Sequence, residues 1–159
     1  MGICLTYCMS ETLAVVNQKG GVGKTTTSVN LGSYLAESGK SVLLVDLDPQ
    51  ANASAGVGIR VPEGVPSLYE LLAGSATIEN VIQPTNIERF NIIPSTPDLA
   101  GAAMELMDEP YREFRLRRAL KAVKDNYDFI LIDCPPSLGL LTINGLAAAD
   151  RLLIPVQCE

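Results

Sequence analysis

The sequence predicts an α/β fold: a mainly parallel, doubly wound sheet with helices on both faces. Three observations predict it. Short apolar runs, Leu13 to Val16, Val42 to Val45 and Ile130 to Ile132, show no polar alternation, as expected of strands covered on both sides. Helical periodicity lies between them and makes a strand–helix–strand unit of about 35 residues at the start of the chain. Two of the runs end in aspartate, Asp46 and Asp133, so acids collect beyond the carboxyl ends of the strands, where open α/β sheets bind ligands.

The chain has 159 residues, 47% of them hydrophobic, enough for one domain with its own core. Its net charge is −6, so bulk attraction to nucleic acid is not expected, although a local basic face is compatible with that total. There is no histidine, which excludes Ser-His-Asp triads and histidine metal sites. Four cysteines, Cys4, Cys8, Cys134 and Cys158, lack zinc-type pairing and read as reduced thiols. No run of 18 apolar residues is present, so no membrane-spanning helix is expected. Met1 to Thr6 formally fits a myristoylation pattern, but Met9 is the more natural start. Residues 1–11 are expected to be a disordered or upstream extension, and 12–159 one domain.

The elements follow in order. Thr12 to Asn17 reads as the first strand. A helix is expected from Thr26 to about Ser38, with Leu31, Tyr34 and Leu35 as its core stripe and Gly39 ending it. Ser41 to Asp46 is the second strand. Residues 53–66, rich in Gly, Pro and small side chains, read as a surface loop. Ser67 caps a short helix to Leu72, and another covers Ile78 to Ile82. Phe90 to Pro94 is a strand, and 95–108 a loop entering a helix. Tyr111 to Asn126 reads as one amphipathic helix buried through Leu116, Leu120, Val123 and Tyr127. Arg117, Lys121 and Lys124 share another side of it, within an arc of roughly 60°. That arc is a solvated face or a contact surface for an acidic partner. Asp128 to Asp133 is the next strand, Leu138 to Ala148 a helix weakened by Gly139 and Gly145, and Arg151 to Val156 a last strand. A doubly wound sheet normally continues past such a strand, so the chain is expected to be the N-terminal part of a longer protein.

The chemistry centres on Lys19-Gly20-Gly21-Val22-Gly23-Lys24-Thr25-Thr26, between the first strand and the first helix. Glycines let successive N–H groups converge on an anion, and the helix adds its positive N-terminal end. Lys24 would meet the β/γ-phosphates of a nucleotide, and Thr25 would ligate Mg²⁺. The usual pattern needs glycine at position 18, where Gln18 stands. Lys19 is an extra lysine, either a solvated loop charge or a second cation for phosphate. Asp133 would hold Mg²⁺ through water, opposite Thr25. Asp46 and Asp48 point the same way if the strand persists. One would orient the attacking water and the other tie the metal's water shell, with Asp48 favoured for the water. Carboxylate and lysine must then carry the rate, so slow hydrolysis is expected until a partner completes the site.

The phosphate loop, the run Asp46-Leu47-Asp48-Pro49-Gln50-Ala51-Asn52, the run Ile132-Asp133-Cys134-Pro135-Pro136-Ser137-Leu138-Gly139 and the closing Ile154 to Glu159 resemble the ParA/Soj group of the ParA/MinD ATPases, P-loop NTPases with a deviant Walker A loop. The resemblance covers 12–159. It implies a Mg²⁺-dependent ATPase acting as a dimeric switch in chromosome or plasmid segregation. Two subunits would sandwich two ATP molecules, with Lys19 reaching the partner's nucleotide. A ParB-type protein would stimulate hydrolysis. The cytoplasmic ATP dimer would bind DNA nonspecifically on the nucleoid, through regions downstream of this chain, with no membrane involved. Ala51 departs from the family, in which many members carry glycine. Alternatives are a MinD-like ATPase positioning a division site or cargo, and a catalytically incomplete nucleotide-binding module.

Overall fold

The computed structural model describes residues 10–158 apart from Met107, so residues 1–9 of the expected extension, with Cys4, Cys8 and the myristoylation pattern, lie outside the described residues. In chain order the elements are β1 (Glu11–Val15), α1 (Lys24–Glu37), β2 (Val42–Asp46), α2 (Asn52–Gly56), α3 (Leu68–Ala73), α4 (Ile78–Val81), β3 (Gln83–Pro84), β4 (Phe90–Ile93), α5 (Leu99–Glu105), α6 (Arg115–Leu120), β5 (Phe129–Asp133), α7 (Leu140–Ala148) and β6 (Arg151–Leu153). The sheet order is β3-β4-β2-β5-β1-β6. All pairings are parallel except the short edge pair of β3 and β4.

Period-two alternation divides each central strand between two cores. Leu43 and Val45 of β2, with Ile130 and Ile132 of β5, pack beneath α3, α5, α6 and α7. Val42 and Leu44, with Leu131, Phe90 and Ile92, pack beneath α1 and α2. Both faces are therefore covered, as the unalternating apolar runs required. Among the described residues no helix is long and apolar enough to cross a membrane.

Four expectations are corrected. Of the expected α1 stripe, Leu31 and Leu35 pack partly buried against the core but Tyr34 is 70% exposed, and the buried positions are Lys24, Ser28, Gly32 and Ala36. Small residues win because the helix lies close to the sheet: a Cβ on Gly32 would sit 2.6 Å from Cζ of buried Phe90. Residues 53–66 are not loop throughout, since α2 occupies their start, held by Ser54 on Asp46. The helix expected over 111–126 is broken into a 3-10 turn at Arg112–Phe114, α6, and a second turn at Lys124–Asn126. Buried Asn144 of α7 takes over its backbone, accepting from Leu116 N–H at 3.2 Å and donating to Arg112 C=O at 3.0 Å. The buried positions Leu116, Leu120 and Val123 stand as expected. Finally, β1 opens at Glu11, a residue earlier than read, and β6 closes at Leu153, where Ile154 and Val156 are exposed.

Candidate functional site

The site forms where three strands end side by side. Strand β5 inserts between β1 and β2, so Asp133 is in register with Val15 on one side and Asp46 on the other. The glycine-rich loop leaves β1 directly beyond, and α1 returns over the same end of the sheet.

Asn17 starts the loop. Its Oδ1 accepts the Lys19 N–H at 2.9 Å, and its Nδ2 donates to the Pro155 carbonyl at 2.8 Å. Gly21 and Gly23 take φ of +76° and +87°, values that L side chains rarely adopt. Gly20 leaves open space where a Cβ would be. Lys19, Gly20, Gly21 and Thr26 are exposed, and Val22 is buried. Gln157 donates from Nε2 to the Gly21 carbonyl at 3.3 Å, so the segment after β6 also supports the loop.

Lys24 is buried, and its ammonium bends back to the Lys19 carbonyl at 3.2 Å. Thr25 donates from Oγ1 to Asp133 Oδ2 at 2.8 Å, and Ser28, one helical turn on, donates to Oδ1 at 2.8 Å. Burial raises the Asp133 pKa despite these two hydroxyls, and Asp48 raises it further, while the Lys24 charge opposes the rise. Burial likewise pushes the neighbouring Cys134 thiol up to about 12, so it is not a nucleophile at neutral pH.

Asp46, the last residue of β2, and Asp48 beyond it are held differently. The strand ends at Asp46, and the side chains diverge. Asp46 is fully buried; its Oδ2 accepts from Ser54 N–H at 2.8 Å and Ser54 Oγ at 2.7 Å, and its Oδ1 from Asp48 N–H at 3.3 Å. Burial pushes its pKa up to about 6, with the Asp133 charge adding to the rise. Asp48 is half-buried, and its Oδ1 accepts the Gln50 N–H at 2.9 Å. Asp46 thus anchors the turn that presents Asp48.

A carboxylate held between two hydroxyls, a buried lysine and a loop of glycines at a helix N-terminus are groups whose chemistry suits a phosphate and a cation. The matching family is the AAA domain AAA_31, over residues 10–159. The chain belongs to the AAA_31 family. Soj of Bacillus subtilis, named a sporulation initiation inhibitor protein, is 57% identical over 151 residues, 95% of this chain and 60% of that protein. The chromosome-partitioning ATPase Soj of Treponema pallidum is 57% identical over 95% of this chain and 58% of that one. Among solved structures, cobyrinic acid a,c-diamide synthase from Mycobacterium smegmatis with bound ATP analog and magnesium superposes with a TM-score of 0.89 at 45% identity, over 94% of this chain and 61% of that one. The chain spans about 60% of the length of the relatives it matches.

Within this AAA_31 domain the structure gathers Lys24, Thr25 and Asp133 directly, with Asp48 beside them. Lys19 lies exposed at the loop's outer side. Sequence reading missed Asn17, Ser28, Ser54 and Gln157 as supports. Ser28 alone carried a signal, since it stands four residues after Lys24 and so on the same helix face.

Proposed function

We propose that the complete protein binds and hydrolyses ATP with Mg²⁺ as a dimeric switch in chromosome or plasmid partition. The observation that carries this reading is the junction at Asp133. A buried carboxylate of raised pKa is bonded to the hydroxyl that follows the loop lysine, which is the donor set a phosphate-bound Mg²⁺ uses. The likeness to Soj proteins favours partition over other uses of the loop.

In this reading Thr25 would hold the metal, and Asp133 would hold its water shell. These residues fit Mg²⁺, which takes few protein ligands and otherwise binds phosphate oxygens and water. Bound Mg²⁺ would offset charge on the transferring phosphoryl group. The loop N–H groups of residues 20–26 bind the phosphates. Lys24 exchanges the Lys19 carbonyl for a phosphate oxygen, the stronger, charged acceptor. Asp48 orients the attacking water by accepting its hydrogen bond. Lys19 of each subunit serves the nucleotide of the other, as a cation supplied in trans. Hydrolysis is slow until a ParB-type protein engages. The dimer binds DNA nonspecifically through regions outside this chain, on the nucleoid of the cytoplasm. Residues 12–159 form the N-terminal portion of the ATPase domain.

Lys19→Ala in the complete protein tests the dimer, by light scattering with and without ATP and Mg²⁺. The variant should bind ATP as a monomer and fail to dimerise. A variant that dimerises and hydrolyses ATP normally would falsify the trans role. Lys24→Ala should abolish ATP binding itself, and a variant that still binds would count against the whole reading.

A further inference from the structure

The far end of the molecule carries a second feature. Thr12 near the start of β1, the outer side of α6, and the end of α7 with the Asp150 turn enclose a hollow of about 200 Å³. It opens at the amino ends of β1 and β6, opposite the edge that holds Asp133. It lies apart from the residues proposed to bind the nucleotide.

Its lining is divided by chemistry. Leu120 and Ala147 to Ala149 make an apolar floor, and Arg117, Lys121 and Lys124 stand round it. The one acid in the lining is committed: Asp150 takes Lys124 Nζ at 2.8 Å and Thr12 N–H at 2.9 Å on the same oxygen. Arg117 and Lys121 have no ion pair or hydrogen bond among the described residues. Arg118, next to Arg117, is turned away over the Tyr111 ring at 5.0 Å. Three cations against one acid leave a local charge of +2 on a chain of net −6.

Size and chemistry select the occupant. Drug-sized ligands fill about 300–1,000 Å³, so this hollow holds one side chain or one small anionic group, and no nucleotide. The alanines at 147–149 leave a floor that suits methylenes, with cations placed above for the group at their end. A glutamate side chain has that build. A hollow of this size admits one side chain of a short acidic segment, whereas the phosphates of a duplex lie along a rigid backbone that does not enter it. The sequence alternatives for this arc, solvated face or acidic-partner contact, are separated by the hollow, which a purely solvated face does not need.

We propose that this hollow is a docking site for a short acidic segment of a partner protein, which inserts a glutamate between Arg117 and Lys121. Its position at the opposite edge of the sheet leaves the nucleotide edge open while the segment is bound.

The test is fluorescence anisotropy of a short labelled glutamate–leucine peptide on the complete protein. The double variant Arg117→Glu/Lys121→Glu and the control Arg118→Glu are titrated alongside. Both of the former side chains are exposed, and the control matches the type of charge change outside the hollow. The expected result is saturable binding, weakened at least about tenfold by the double variant and little changed by the control. Labelled duplex DNA and inorganic phosphate are titrated in parallel. The proposal is overturned if the peptide fails to bind at about 1 mM, or if double variant and control weaken it equally. Duplex binding lost on the double variant in place of peptide binding would assign the surface to nucleic acid and overturn it too. Full competition by phosphate at equal concentration would reduce it to a site for a simple anion.

Discussion

Replacing Asp46 by asparagine separates the cost of a buried charge from the bonds that the charge makes. The carboxyl lies fully buried beside Asp133, and its pKa rises from 3.8 to about 6. The folded chain therefore holds this proton more tightly than the unfolded chain. Stability from this group is complete below 3.8 and is lost as pH rises towards and past about 6. The rise corresponds to about 3 kcal/mol of ionisation cost in the folded state at neutral pH. In Asp46→Asn the amide oxygen can still accept both Ser54 donors. The amide nitrogen then faces the Asp48 N–H, 3.3 Å from the present Oδ1, and that lost bond costs about 1 kcal/mol. The variant should be more stable than the parent by about 2 kcal/mol near pH 8 and less stable by about 0.5 kcal/mol near pH 4, where the unfolded carboxyl is already more than half ionised. Urea unfolding at both pH values reads the difference directly. A difference that stays the same at both would refute the argument that burial, and not bonding, sets the state of Asp46.

Other outcomes follow from the same geometry. Ser28→Ala removes one of two hydroxyls on Asp133, a loss of about 1.5–3 kcal/mol for a charged acceptor, offset by about 0.5 kcal/mol of helix propensity; calorimetry should show a deficit that narrows as pH falls and Asp133 protonates. Gly32→Ala gains helix propensity, yet its Cβ would meet Phe90 carbon at 2.6 and 2.8 Å, so thermal unfolding should register a net loss of about 1–2 kcal/mol. An equal or higher melting temperature would show that Phe90 can move. Ala51 sits at φ 52°, ψ 32°, the left-handed region that costs a non-glycine residue about 1 kcal/mol. Ala51→Gly should raise stability by a few tenths to 1 kcal/mol in denaturant unfolding, and a loss would mean that the turn is unstrained.

Much of the site was legible because the signals are local. The glycine loop announces itself through residues that must take positive φ, and the structure uses Gly21 and Gly23 in that way. The Ser67 cap is another short-range pattern that the structure bears out, and Glu70 closes it into a capping box. Tyr34 misled because apolar spacing reports hydrophobicity, whereas the approach of α1 to Phe90 is limited by volume. The helix over 111–126 misled because its periodicity is real, but Asn144 from another helix competes for its backbone bonds. Asp46 and Asp48 read as a matched pair, since alternation fixes side-chain direction only while the strand lasts, and it ends at Asp46.

By itself the sequence determined the covered parallel strands and the glycine loop between β1 and α1, with Lys24 and Thr25 at its end. These depend on backbone preferences and side-chain periods within a dozen residues. Only the tertiary structure decided that β5 lies between β1 and β2. That order brings Thr25 to Asp133 across 108 residues of chain and sets Asp46 apart as the anchor of the Asp48 turn. Strand order and long-range bonding depend on how two faces of helices share one sheet, and no local pattern encodes that choice.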